Sequence, residues 1–144
     1  MSDEVDLARV LLGLARDDEF AARSLLPVAG VSDSILGFHA QQAVEKSLKA
    51  ALARRGIEYP HSHDLDGFVE LCKENALDLP EELDGVDRLS EFAVRVRYGM
   101  AEAALDRDQA LCWAARAVEW AEVIVGAEQE SAESPGAAAE PVDE

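Results

Sequence analysis

FHAQQAVEKSLKAAL, residues Phe38–Leu52, is the stretch that settles the fold class. Apolar and polar positions alternate here at spacings of three and four, the repeat of a helix with two unlike faces. Leu36, Ala40, Ala43, Ser47, Ala50 or Ala51, and Leu52 make a narrow inward stripe. Many of these residues are small, so a neighbouring helix can come close. Gln42, Glu45, Lys46 and Lys49 form a polar strip on the same helix. Two readings of that strip stay open. It is a solvated face with a Glu45–Lys49 pair worth about 0.2–0.5 kcal/mol. Or it is the wall of a groove, where amides read a base or peptide edge and lysines meet phosphate.

Outward from this helix the same periodicity recurs, and no segment reads as a strand. A first helix spans about Glu4 to Leu26, with Leu7, Val10, Leu11, Leu14, Ala21 and Leu25 as its apolar stripe. Asp17 and Asp18 mark a weak point in it, and Pro27 and Gly30 end it. The second helix runs from about Asp33, capped by Ser32 or Asp33, to Arg55, with Gly56 as its stop. A third covers Leu65 to Glu74 behind an Asp64 or Ser62 cap. A fourth starts near Pro80 and stops near Gly99, carrying Leu83, Val86, Leu89, Phe92, Ala93 and Val96. The fifth has Asp106 as cap and Gln109 three places on. Its two stripes, Leu111-Ala114-Val118-Ala121-Val125 and Trp113-Ala117-Trp120-Ile124, merge into a wide apolar face. Such a face suits a bundle or a second subunit, and Trp113 and Trp120 are its candidate interface residues. The expectation is an all-α antiparallel bundle of about five helices over residues 1–126. Residues 127–144 read as a disordered acidic tail, too polar to offset the cost of ordering.

Composition agrees. Of 144 residues 49% are hydrophobic but only 6% aromatic, a balance that favours helices over strands. The net charge is −17, and the tail's six acidic residues leave −11 for the body. Such a body repels a phosphate backbone, so direct nucleic-acid binding would need a local basic patch. Arg88, Arg95 and Arg97 make the densest basic spot. No apolar run is long enough to span a bilayer. Cys72 and Cys112 are far apart and read as reduced thiols, which with the acidic N-terminus points to the cytoplasm. His61, His63 and Asp64 are chemically suitable metal ligands, but no further ligand that would complete a site is evident, so no metal or other cofactor is expected. Arg97 and Tyr98 close the fourth helix either as macrodipole partners or as site residues, a guanidinium fork for phosphate and a hydroxyl or stacking face.

The order of these features resembles the HEPN domain family. The helix Phe38-His39-Ala40-Gln41-Gln42-Ala43-Val44-Glu45-Lys46-Ser47-Leu48-Lys49-Ala50 carries most of the likeness. Arg55-Gly56-Ile57, His63-Asp64-Leu65 and Ala93-Val94-Arg95-Val96-Arg97-Tyr98 follow in the family's order. The resemblance implies a helical bundle, often a homodimer. It implies a bacterial context beside a small nucleotidyltransferase, as a toxin–antitoxin-like pair or two-part complex. Many members are metal-independent ribonucleases that use an Arg followed four to six residues later by His. Here Arg97 matches the Arg, but Ala101, Glu102 and Ala103 fill the window for the His. The expectation is therefore a non-catalytic module that binds a nucleotide or docks a nucleotidyltransferase through Gln42, Glu45, Lys46, Lys49, Arg97 and Tyr98. The alternatives are a ribonuclease toxin with Arg97 in the site, and a scaffold without ligand.

Overall fold

The structure is a computed structural model that describes the backbone of residues 3–98 and 104–132, with side chains at 6–94 and 104–126. Five α-helices make up its frame: α1 (Asp3–Leu25), α2 (Asp33–Arg54), α3 (Leu65–Glu74), α4 (Ser90–Tyr98) and α5 (Arg107–Ala132). Among the described residues there is no strand.

The centre is a three-helix pack of α1, α2 and α5. The short link after α1 folds α2 back along it. The excursion through α3 and α4 then returns the chain to the start of α2, so α5 runs beside α2 in the same direction. Asp33 and Arg107 fasten the two starts together. Arg107 Nε donates to Asp33 Oδ1 at 2.6 Å, Leu105 N donates to Asp33 Oδ2 at 3.2 Å, and Arg107 Nη2 donates to the Val31 carbonyl at 2.7 Å.

Small residues line the contact surfaces. Ala40, Ala43, Ala50 and Ala51 of α2 are fully buried, as are Ala8, Ala15 and Ala22 of α1 and Ala110, Ala114, Ala117 and Ala121 of α5. Helix axes pack 8–10 Å apart depending on the side chains between them, and alanine on both sides favours the short end. Gly37 serves the same end against α4, since a Cβ there would lie 2.7 Å from the Phe92 ring.

The inward face of α1 keeps Leu11 and Leu25 of the expected stripe against the core but not the rest of its large residues. Leu7, Val10 and Leu14 are 46%, 58% and 43% exposed, whereas Ala8, Leu12, Ala15 and Ala22 are buried. The helix is turned by one residue, about 100°, because α2 and α5 accept alanine more closely than leucine. Asp17 and Asp18 do not weaken it, and α1 is continuous through both.

The segment after Pro80 also departs from expectation. It makes two 3₁₀ turns, Glu81–Leu83 and Val86–Leu89, before α4 begins at Ser90. Leu83, Val86 and Leu89 are each buried at a spacing of three. That is the 3₁₀ repeat, in which residues three apart lie on one line. Gly85, at φ +87°, separates the turns in a left-handed conformation that a side chain would disfavour.

Caps are where the sequence places them. Ser32 Oγ accepts from Ile35 N at 3.1 Å, Asp64 Oδ1 from Asp66 N at 3.2 Å, and Asp106 Oδ1 from Gln109 N at 3.1 Å. At the end of α2, Ile57 N donates to the Leu52 carbonyl and Gly56 N to that of Ala53, with Gly56 at φ +71°. The end of α3 repeats the pattern with Ala76 at φ +60° in the glycine position. On α5, Gly126 does not stop the helix, which continues to Ala132. A single Gly costs about 1 kcal/mol against Ala, and Ala127, Glu128 and Gln129 resume good helix formers. Residues 133–144, the rest of the expected tail, lie outside the described residues.

Candidate functional site

The polar strip of α2 is turned toward protein rather than bulk water. Gln41, Gln42, Glu45 and Ser47 are all buried. A buried carboxylate is stable only with strong partners, and Glu45 has three. Gln41 Nε2 donates to Glu45 Oε1 at 2.8 Å, Lys49 Nζ donates to Oε2 at 2.7 Å, and His63 Nδ1 meets Oε1 at 3.0 Å. Gln42 Nε2 donates to Gln41 Oε1 at 2.6 Å, which extends the chain of bonds by one residue. Gln41 Nε2 also reaches the His63 carbonyl at 3.4 Å, so the loop before α3 is tied to α2 at two points. Burial pushes the Glu45 carboxyl upward. The bonds from Lys49, Gln41 and His63, with the Lys49 charge, outweigh it and hold the group below its ordinary value.

Lys49 is enclosed further by aromatics. Its Nζ lies 5.7 Å from the Tyr59 ring centre and 5.3 Å from that of Phe68, within cation–π range. The two rings meet edge to face at 6.0 Å. Burial, followed by the Glu45 charge, raises the Tyr59 phenol, so the hydroxyl keeps its proton at neutral pH. Cys72, on the buried face of α3, is pushed up to about 12 by burial, which makes it an inert thiol.

A second polar group sits one turn away, between α1 and α2. Asp18 accepts from Lys46 Nζ at 2.7 Å through Oδ2 and meets His39 Nδ1 at 2.9 Å through Oδ1.

The structure thus brings together Gln42, Glu45 and Lys49 in one network and gives Lys46 to another. The side chains of Arg97 and Tyr98 lie outside the described ones. The start of α4 is fixed by Ser90 Oγ, which accepts from Leu65 N at 2.9 Å, and by Phe92 against Gly37. Gly37 is roughly 14–18 Å along the α2 axis from Lys46 and Lys49 at the rise of an α-helix. Trp113 and Trp120 are 6% and 8% exposed and packed within their own chain. Trp120 Nε1 donates to the Asp78 carbonyl at 2.7 Å, and Trp113 stacks under Arg88. The wide face of α5 is therefore met by α1, α2 and the 78–89 segment, and the indoles leave little surface for a second subunit.

Gln41, Asp18, His39 and Tyr59 belong to these networks although the sequence pointed to no site role for them, and His63, weighed there only as a metal ligand, is instead a partner of Glu45. Gln41 could have been found, since it stands one turn before Glu45 on the same face. His63 and Asp18 come from other elements, and only the fold brings them in. Among the described residues no group of His, Cys, Asp and Glu could hold a metal ion, and no helix is long and apolar enough to cross a membrane.

Five helices, a buried amide–carboxylate–lysine network on α2 and a His-Asp-Leu start to α3 define an all-α module of one recognisable type. The HEPN domain model matches residues 8–130, and the chain belongs to that family. The chain matches no curated protein and no solved structure.

Proposed function

We propose that this HEPN chain acts by binding rather than by cleaving RNA. It takes a nucleotide or docks a nucleotidyltransferase, in a two-part complex of toxin–antitoxin type, as a cytoplasmic homodimer. The observation that carries this reading is the state of the α2 face. Both lysines are held at 2.7 Å by carboxylates of their own chain, Lys46 by Asp18 and Lys49 by Glu45. The buried pair stiffens α2 beneath Lys46, which is 24% exposed at the surface, so the ground around it is fixed in shape before any partner arrives, and that lowers the ordering cost of docking. The histidines add support. His39 and His63 are bonded to Asp18 and Glu45, and the sequence after Arg97 offers none in the ribonuclease spacing.

Calorimetric titration of the purified chain with nucleotides, and with a nucleotidyltransferase encoded beside it, tests the proposal. Binding of either is expected, with no loss of RNA on prolonged incubation. RNA degradation that disappears in Arg97→Ala would overturn it in favour of the toxin reading. Calorimetry suits the question better than total tryptophan emission, because both indoles are buried away from the α2 network.

A further inference from the structure

We infer that the cleft between the start of α4 and the first turns of α5 is the phosphate-binding end of a nucleotide site, with Arg88 as its anion anchor. This rests on the binding function proposed above and names where the phosphate goes. The α2 lysines are poor candidates, since Asp18 and Glu45 already cancel their charge. Among the described residues Arg88 and Lys73 are the cations with no carboxylate partner, in a chain of 30 acidic and 13 basic residues. Lys73 lines a cleft with four carboxylates, Asp66, Asp78, Asp84 and Asp87, twice the two that line the cleft of Arg88, so an anion is repelled more strongly there. Arg88 lines a different cleft, of about 250 Å³, together with Phe92, Leu105, Gln109 and Trp113.

Arg88 is exposed, lies over the Trp113 ring and has no carboxylate partner among the described residues. Its guanidinium carbon lies 5.9 Å from the centre of the Trp113 ring. A Cβ at Gly85 would come within 3.0 Å of Nη2 and 3.5 Å of the Trp113 ring, so the bare glycine leaves room for both side chains. A stacked arginine keeps its edge donors for a ligand, and its planar fork matches two oxygens of one phosphate. Gln109, in the first turn of α5, adds an amide. The volume lies just under the roughly 300–1,000 Å³ of ordinary small-molecule sites, so it takes a phosphate and sugar and leaves the base at the mouth. Glu91 and Asp106 line the same cleft, and their charges select a single phosphate over a polyphosphate.

Calorimetry with AMP, ATP, inorganic phosphate and adenosine tests this at low salt on the full chain. The expected result is binding of AMP, weaker binding of phosphate and ATP, and none of adenosine. Arg88→Ala lowers AMP affinity at least tenfold, and Arg88→Lys recovers only part of it. Gln109→Glu, which leaves the Arg88–Trp113 stack in place, causes a similar loss. In a Trp120→Phe background the emission of Trp113 shifts on AMP addition. AMP binding that Arg88→Ala and Gln109→Glu leave unchanged overturns the site while the proposed function stands. Binding of adenosine as tightly as AMP overturns the phosphate role alone. No heat with any of the four overturns the nucleotide reading and this site together, leaving the docking reading to the partner titration.

Discussion

Helices α1 and α2 pack against each other with inverted chemistry. On α1, Val10 and its neighbours Leu7 and Leu14 face water while alanines face the core. On α2, Gln41, Glu45 and Ser47 are buried while Ile35 is 42% exposed. The difference shows that proximity, not hydrophobicity alone, decides which face turns inward. Alanine against alanine brings backbones together and gains contacts along the whole helix. Gln41 and Glu45 can then be buried on α2 because they bond each other, Lys49 and His63 of the loop before α3, whereas Ser47 Oγ is buried with no hydrogen-bond partner among the described residues.

Substitutions can break that comparison, and the largest effect is expected at Glu45. Glu45→Ala leaves Lys49 largely enclosed without its carboxylate and should cost about 3–5 kcal/mol in urea unfolding. The double variant Glu45→Leu/Lys49→Met removes both charges and should be markedly more stable than the single one. If the two are equally unstable, the network is not held by charge.

Crowding the small residues comes next. Gly37→Ala places a methyl 2.7 Å from the Phe92 ring, and Ala15→Leu swells the fully buried α1 seam. Each should cost about 1–3 kcal/mol, read as a lower thermal midpoint. An unchanged midpoint for both would mean that the seam is looser than alanine packing requires.

Acid should loosen the same network by a smaller amount. Folding lowers the Glu45 pKa, so the unfolded chain holds that proton more tightly than the folded one. The stabilisation is complete above the unfolded value of 4.5 and is lost as pH falls through the lower folded value. Glu45→Gln should flatten that part of a stability–pH curve. A curve of wild-type steepness would assign the acid response to other carboxylates.

The smallest effect is expected on the outside of α1. Val10→Ser, at 58% exposure, should change stability by no more than about 0.5 kcal/mol. A larger loss, growing with protein concentration, would show that the face is covered by a second copy.

How far the sequence is legible follows from these same residues. Helix type and number are readable because alanine-rich segments with caps at Ser32, Asp64 and Asp106 repeat at 3.6. The rotation of α1 is not, since Leu7, Val10 and Leu14 form as good a stripe as Ala8, Leu12 and Ala15 when only hydrophobicity is scored. The 3₁₀ turns at 81–89 escape for a related reason, as a spacing of three fits both helical periods over so short a run. At the candidate site the Glu45–Lys49 pair is visible as a spacing of four. Its burial is not, because His63, Tyr59 and Phe68 come from later in the chain. Arg88 stood out as one of a basic cluster, yet its lack of an acid partner is a property of the packed state.

The fastening of Asp33 to Arg107 spans residues far apart in the chain, and loop closure of that length is entropically uphill until α5 has docked. On a ribosome α1 and α2 emerge first and pair through a short link, while α5 emerges late. For that interval the nascent hairpin carries an open seam of alanines. A neighbouring polypeptide's α5 could seat there through the same carboxylate, giving an exchanged dimer. The ion pair that sets register within one chain would do so equally well between two.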